Sequence, residues 1–140
     1  MNDTHGIDET QAEIINEFEL FDDWMGRYEY LIDMGKQLPE FPEEWKNEEN
    51  KIHGCQSQVW FHSEMRDGKV HFDGTSDAAI VSGLIALLLR VYSDRRPEEI
   101  LTAKPKFIKA IGFQDHLSPT RSNGLHAMLE GIYERTRQYA

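Results

Sequence analysis

One cysteine is all this chain of 140 residues has, and it stands at position 55. A lone thiol closes no internal disulfide and completes no CxxC pair. It cannot supply the several thiolates that zinc or iron–sulfur sites usually draw on. Long apolar runs are missing too. The longest, Ala78 to Leu89, is broken by Ser82 and Gly83 and is well short of the roughly 20 residues that span a bilayer. No basic stretch followed by an apolar core opens the chain, so no signal peptide is read and no membrane partner is expected. A free thiol without export signal or disulfide framework points to the reducing cytoplasm. Positive charge is scarce as well: 15 Lys and Arg against 25 Asp and Glu leave −10, which argues against a nucleic-acid partner. The deficit is local, because residues 1–50 hold 15 acids against Arg27, Lys36 and Lys46, a balance of −12, and the remainder is +2. Such asymmetry fits either a solvated acidic face or a charge-guided partner surface.

What is present fits one folded domain over residues 1–140, large enough for a core without staples. Residues 1–9 read as a frayed acidic start. Asp8 or Thr10 is placed to cap a first helix carrying Ile14, Ile15, Phe18 and Phe21. Asp22-Asp23 caps a second, with Trp24, Tyr28, Leu31 and Ile32 at helical spacing and Gly35 as its stop. Leu38 to Pro42 is a loop by its prolines.

From Val59 the period becomes two, with Val59, Phe61, Ser63 and Met65 on one side of a strand. Asp67-Gly68 is a hairpin signal, and Lys69 to Asp73 returns as the second strand. Thr75, Ser76 and Asp77 supply caps for an apolar helix over Ala78–Val91, expected inside the core. Short pieces follow Pro97 and Pro105, and Gly112 breaks them up. Ser118-Pro119 opens a last helix with Leu125, Met128, Leu129, Ile132 and Tyr133 as its buried stripe. The pattern is α+β: helices, a small antiparallel sheet, a buried helix, then more helix.

Cys55 falls where the helical pattern has ended and strand alternation has not begun, so a loop is its natural place. A working sulfur must be thiolate part of the time and must be reachable. Gly54 removes a side chain beside it, and Gln56, Ser57 and Gln58 bring donors able to hold a thiolate. Residue types alone leave three readings open: an inert core cysteine, a nucleophile, or a carrier.

Lys51-Ile52-His53-Gly54-Cys55-Gln56-Ser57-Gln58-Val59-Trp60 resembles the cysteine loop of SufE-type sulfur acceptors. Two further blocks agree in order, Ser76 to Ala86 with that family's central buried helix and His116 to Leu125 with its last helix start. The resemblance runs from about residue 12 to the C-terminus. It implies a SufE/IscU-like α+β fold with about three strands, the third near Lys51–Gly54. It also implies a function: taking sulfane sulfur from the persulfide of a PLP-dependent cysteine desulfurase, SufS, and stimulating it. The sulfur then passes toward the SufB-containing iron–sulfur scaffold.

On that reading Cys55 is the acceptor, and Gly54, Gln56, Ser57, Asp77 and Arg121 support the loop or the partner interface. The protein is then a carrier and not itself an enzyme, holds no cofactor or metal, and is a monomer or homodimer. The family's cysteine loop can rest with its sulfur in an apolar pocket. Asp77 has a rival role as a helix cap, and Arg121 as an exposed first-turn arginine. A stand-alone cysteine hydrolase or thiol peroxidase using His53 or His116 is the competing function, and it requires a histidine nitrogen within reach of the sulfur. A cluster scaffold would need about three cysteines. A binding module with an incidental cysteine is the remaining alternative.

Overall fold

The computed structural model describes residues 6–140. Helix α1 (Ile7–Phe18) begins earlier than the sequence suggests. Neither Asp8 nor Thr10 caps it; both lie in its first turns, and Gly6 holds the cap position. Ile7 is buried and donates its N–H to Glu99 Oε2 at 3.2 Å, so residues 7–9 are anchored and not frayed; residues 1–5 lie outside the described part. Ile14 and Phe18 enter the core as the period requires, whereas Phe21 falls beyond the helix and stacks on Tyr30.

Helix α2 (Trp24–Lys36) starts at Asp23, whose carboxylate accepts the Gly26 N–H at 2.9 Å. It packs along α3 (Ala79–Tyr92), and the two backbones meet at glycines. A Cβ on Gly83 would sit 2.2 Å from the Leu31 carbonyl oxygen, and one on Gly35 would sit 2.7 Å from the Gly83 nitrogen. Gly35 therefore does not stop α2. It lies inside the helix and is there for the close approach. The guanidinium of Arg90 grips both carboxylate oxygens of Glu17 at 2.7 and 2.5 Å, and the Tyr30 hydroxyl donates to the same carboxylate. This joins α1, α2 and α3 at one point and holds Glu17 below the usual carboxylate range, chiefly through Arg90.

Strands β1 (Val59–Arg66) and β2 (Lys69–Ser76) pair antiparallel, from Val59 opposite Ser76 to Arg66 opposite Lys69. Asp67 and Gly68 close the hairpin with φ of 52° and 81°, the left-handed pair that matches strand twist. The inner face carries Val59, Phe61, Val70 and Phe72, all buried beneath α3. The second strand runs three residues beyond Asp73, so Thr75 and Ser76 are strand residues and not caps. The expected third strand shrinks to a bridge. Among the described residues the sheet has two strands, and only Lys51 pairs with Trp60 along the edge of β1. The Ile52 N–H donates to the Val59 carbonyl at 2.9 Å, and the Phe61 N–H to the Asn50 carbonyl at 2.8 Å. Gly54 and Cys55 then turn the chain away before a longer ladder can form.

Short helices α4 (Pro97–Thr102), α5 (Lys106–Ile111) and α6 (Phe113–His116) follow, with Gly112 at φ 98° between the last two. Gln11 of α1 is buried and donates to the Lys104 carbonyl while accepting the Phe107 N–H, both at 3.0 Å. It thereby satisfies the start of α5, which lacks a cap of its own. Helix α7 (Pro119–Arg137) is capped by Ser118, whose hydroxyl accepts the Arg121 N–H at 3.2 Å. Leu125, Met128, Leu129 and Ile132 are buried as the spacing predicts.

Candidate functional site

The cysteine loop is held from below, from behind and from one side. Below, the Ile52–Val59 hydrogen bond closes its base. Behind it lies α7, where Gly124, Ala127 and Gly131 stand at i, i+3 and i+7 and so share one face. That strip of small residues is the bed of the loop. A Cβ on Gly131 would meet Ile52 Cδ1 at 2.7 Å, and one on Gly124 would meet Cys55 Sγ at 3.9 Å. Gly54 has φ 94°, and a Cβ there would meet Ala127 at 3.3 Å. Its glycine is needed for conformation and for room.

At the side stands Asp77. It is exposed, and its Oδ1 accepts the Gln58 N–H at 3.1 Å, joining the end of the cysteine loop to the connection between β2 and α3. Ala78 occupies the N-cap position of α3 and no side chain caps that helix, so the cap role foreseen for Asp77 does not hold. The carboxylate restrains the loop instead.

Cys55 is half-buried, and its Sγ lies 3.6 Å from the Gly124 carbonyl oxygen. A carbonyl accepts and cannot donate, so this contact favours the protonated thiol. Burial pushes the Cys55 pKa upward in the same sense. In this conformation the sulfur is therefore kept as thiol, and the donors of Gln56, Ser57 and Gln58 do not reach it; the Gly124 carbonyl is its hydrogen-bond partner among the described residues. Neither histidine acts on it. His53 is exposed with Nε2 3.8 Å from Glu48, and the His116 ring stacks on Trp24 at 4.3 Å. Among the described residues no histidine nitrogen is hydrogen-bonded to Sγ, and they hold no cluster of three or more His, Cys, Asp or Glu able to bind a metal.

The sulfur opens onto a cleft of about 580 Å³. Cys55, Gln56 and Ser57 form one wall, and Ser118, Thr120 and Arg121 from the start of α7 form another. Ile32, Ile80, Val81, Leu84 and Met128 make an apolar floor. The fold thus brings Arg121 to the same cleft as Cys55, across 66 positions of sequence. Arg121 is exposed in the first turn of α7 and is the charged residue of the lining. A larger, more open cleft of about 950 Å³, lined by His53, His62, Arg135 and Tyr139 among others, does not include Cys55. The floor residues escaped sequence reading because Ile32, Ile80 and Leu84 carry the same periodicity as any core residue. The small-residue bed of α7 had a readable signal in its i, i+3, i+7 spacing.

Comparison with known proteins identifies the family and the fold. Residues 12–136 match the profile of the family described as SufE, Fe-S metabolism associated domain. The chain belongs to the SufE family. An uncharacterized SufE-like protein of Rhizobium meliloti (strain 1021) is 44% identical over 126 residues, covering 86% of this chain and 89% of that one. Its counterpart in Synechocystis sp. is 43% identical over 115 residues, covering 82% and 72%. A solved structure described as a hypothetical protein from Thermus thermophilus shares the fold, with a TM-score of 0.76 at 23% identity over 92% of this chain and 94% of that one. Membership links this SufE-family protein to iron–sulfur metabolism. Among its described residues no helix is long and apolar enough to cross a membrane.

Proposed function

We propose that this protein is a cytoplasmic sulfur carrier that accepts sulfane sulfur from a SufS-type, PLP-dependent cysteine desulfurase onto Cys55. It stimulates the desulfurase and passes the sulfur to a SufB-containing scaffold. The step is thiol exchange without net redox change. The Cys55 thiolate attacks the terminal sulfur of the donor persulfide, a new S–S bond forms, the old one breaks, and the donor cysteine leaves as thiolate. One sulfur on the acceptor suffices, and a neighbouring thiol would discharge the product as a disulfide.

The observation that carries this reading is the placement of the only cysteine. It sits on a loop tied down at its base and at Gln58, beside an apolar cleft, with the Gly124 carbonyl and no histidine nitrogen of the described residues at its sulfur. The resting thiol is protected. Reaction requires the loop to leave Gly124, a shift that a bound partner can select. The test is a labelled transfer: the protein, a cognate desulfurase and ³⁵S-cysteine are mixed, and reductant-sensitive label is sought on Cys55. Wild type gains label and Cys55→Ser does not. An active desulfurase that leaves wild type unlabelled would refute the carrier reading, and stimulation that survives intact in Cys55→Ser would favour a binding module.

A further inference from the structure

The cleft at Cys55 continues beyond its own rim. Ile32, one of its floor residues, belongs to α2, where positions 25, 28 and 32 share a helical face. Tyr28 is partly buried, and its hydroxyl donates to the His116 carbonyl at 2.6 Å, two residues before the cleft-lining Ser118. Met25 stands at the far end with 72% of its surface exposed. An apolar strip thus leads from the sulfur cleft along α2 through Ile32 and Tyr28 to Met25. The exposed end is a thioether, the side chain most able to reshape itself against a partner.

Acidic groups border this strip. Glu29 and Asp33 follow Met25 at four-residue steps along α2, Asp22 precedes the helix, and Asp115 lies in α6 beside His116. All four are exposed, and none makes an ion pair among the described residues. Asp23, by contrast, is committed to its cap. Lys36 is the one cation on the same face, at the opposite end of the helix. Unneutralised carboxylates beside exposed apolar surface call for a partner that brings cations and an apolar contact together.

We infer that the sulfur donor docks across this strip, presenting lysine or arginine to Glu29 and Asp33 and an apolar side chain to Met25 and Ile32. The inference rests on the reading of Cys55 as acceptor from a desulfurase. The surface would align the donor's sulfur with the cleft mouth and steer the encounter by charge.

The experiment measures desulfurase affinity and label transfer for wild type, Met25→Ala, the double variant Glu29→Lys/Asp33→Lys, and Met65→Ala. Met65 is a partly exposed methionine near the hairpin tip, outside the strip. Alkylation of Cys55 by iodoacetamide is run in parallel to report the site itself. The expected result is a roughly tenfold weaker Kd for the charge-reversed protein at about 50 mM salt, shrinking at about 300 mM. Met25→Ala weakens binding by about threefold, Met65→Ala matches wild type, and alkylation is unchanged throughout. Strip variants that bind and accept like wild type would overturn the docking surface while leaving the carrier reading standing. Variants that also change alkylation would assign the α2 residues to positioning the loop, which overturns docking as well. An unlabelled wild type would remove both conclusions.

Discussion

Removing the Asp77 carboxylate should loosen the cysteine loop by an amount that the geometry sets. Its one loop contact is the 3.1 Å hydrogen bond from the Gln58 N–H, at an exposed position. A bond of that kind contributes about 1 kcal/mol to the closed arrangement. Its loss in Asp77→Ala therefore raises the open fraction about fivefold, provided the closed loop stays dominant. Because Cys55 is the only cysteine, the rate of alkylation by iodoacetamide reads that fraction at a single site. At neutral pH the Asp77→Ala rate should be about five times that of wild type, with unchanged thermal stability. Asp77→Asn keeps an oxygen able to accept the Gln58 N–H but loses the charge, so it should stay within about twofold of wild type. An unchanged rate in Asp77→Ala would show that this bond does not restrain the loop. Equal acceleration in both variants would assign the effect to charge.

Three further outcomes follow from the same structure. The alkylation rate of wild-type Cys55 should climb with pH toward a midpoint above the free thiol's value of about 8.5, because burial favours the neutral form; the same preference stabilises the closed loop below that range and is lost as pH rises through the folded protein's higher value. A midpoint below 8.5 would contradict the Gly124 carbonyl contact. Gly83→Ala should lower stability by ~3 kcal/mol, since its methyl would fall on the Leu31 backbone, which cannot rotate away. Calorimetry should find Tm reduced by roughly 10 °C. Arg121→Ala should fold normally, as only the backbone N–H of this residue takes part in the Ser118 cap, yet transfer label to Cys55 more slowly. An unfolded variant would return Arg121 to a structural role.

The elements were legible where local chemistry decides them. The Asp67-Gly68 hairpin, the Asp23 and Ser118 caps and the buried stripe of α7 each follow from residues adjacent in sequence or on one helical face. Sequence reading failed where a distant chain supplies the reason. Gly35 resembles a helix stop until α3 is seen lying against it, and α5 has no cap until Gln11 arrives from α1. The third strand was expected and reduces to one bridge, because the left-handed Gly54 turns the chain onto α7 instead of along β1.

For the site, the sequence alone determined the chemistry: one thiol, flanked by Gly54 and polar residues, in blocks that mark the SufE family. It could not say which state that thiol occupies. The tertiary structure decided this by laying the loop on the small-residue face of α7, with Sγ against the Gly124 carbonyl and Asp77 holding Gln58. Protonation, burial and access depend on groups brought from 19 and 69 residues away. Residue identity fixes what a sulfur can do; the dielectric and the hydrogen-bond partners around it fix when.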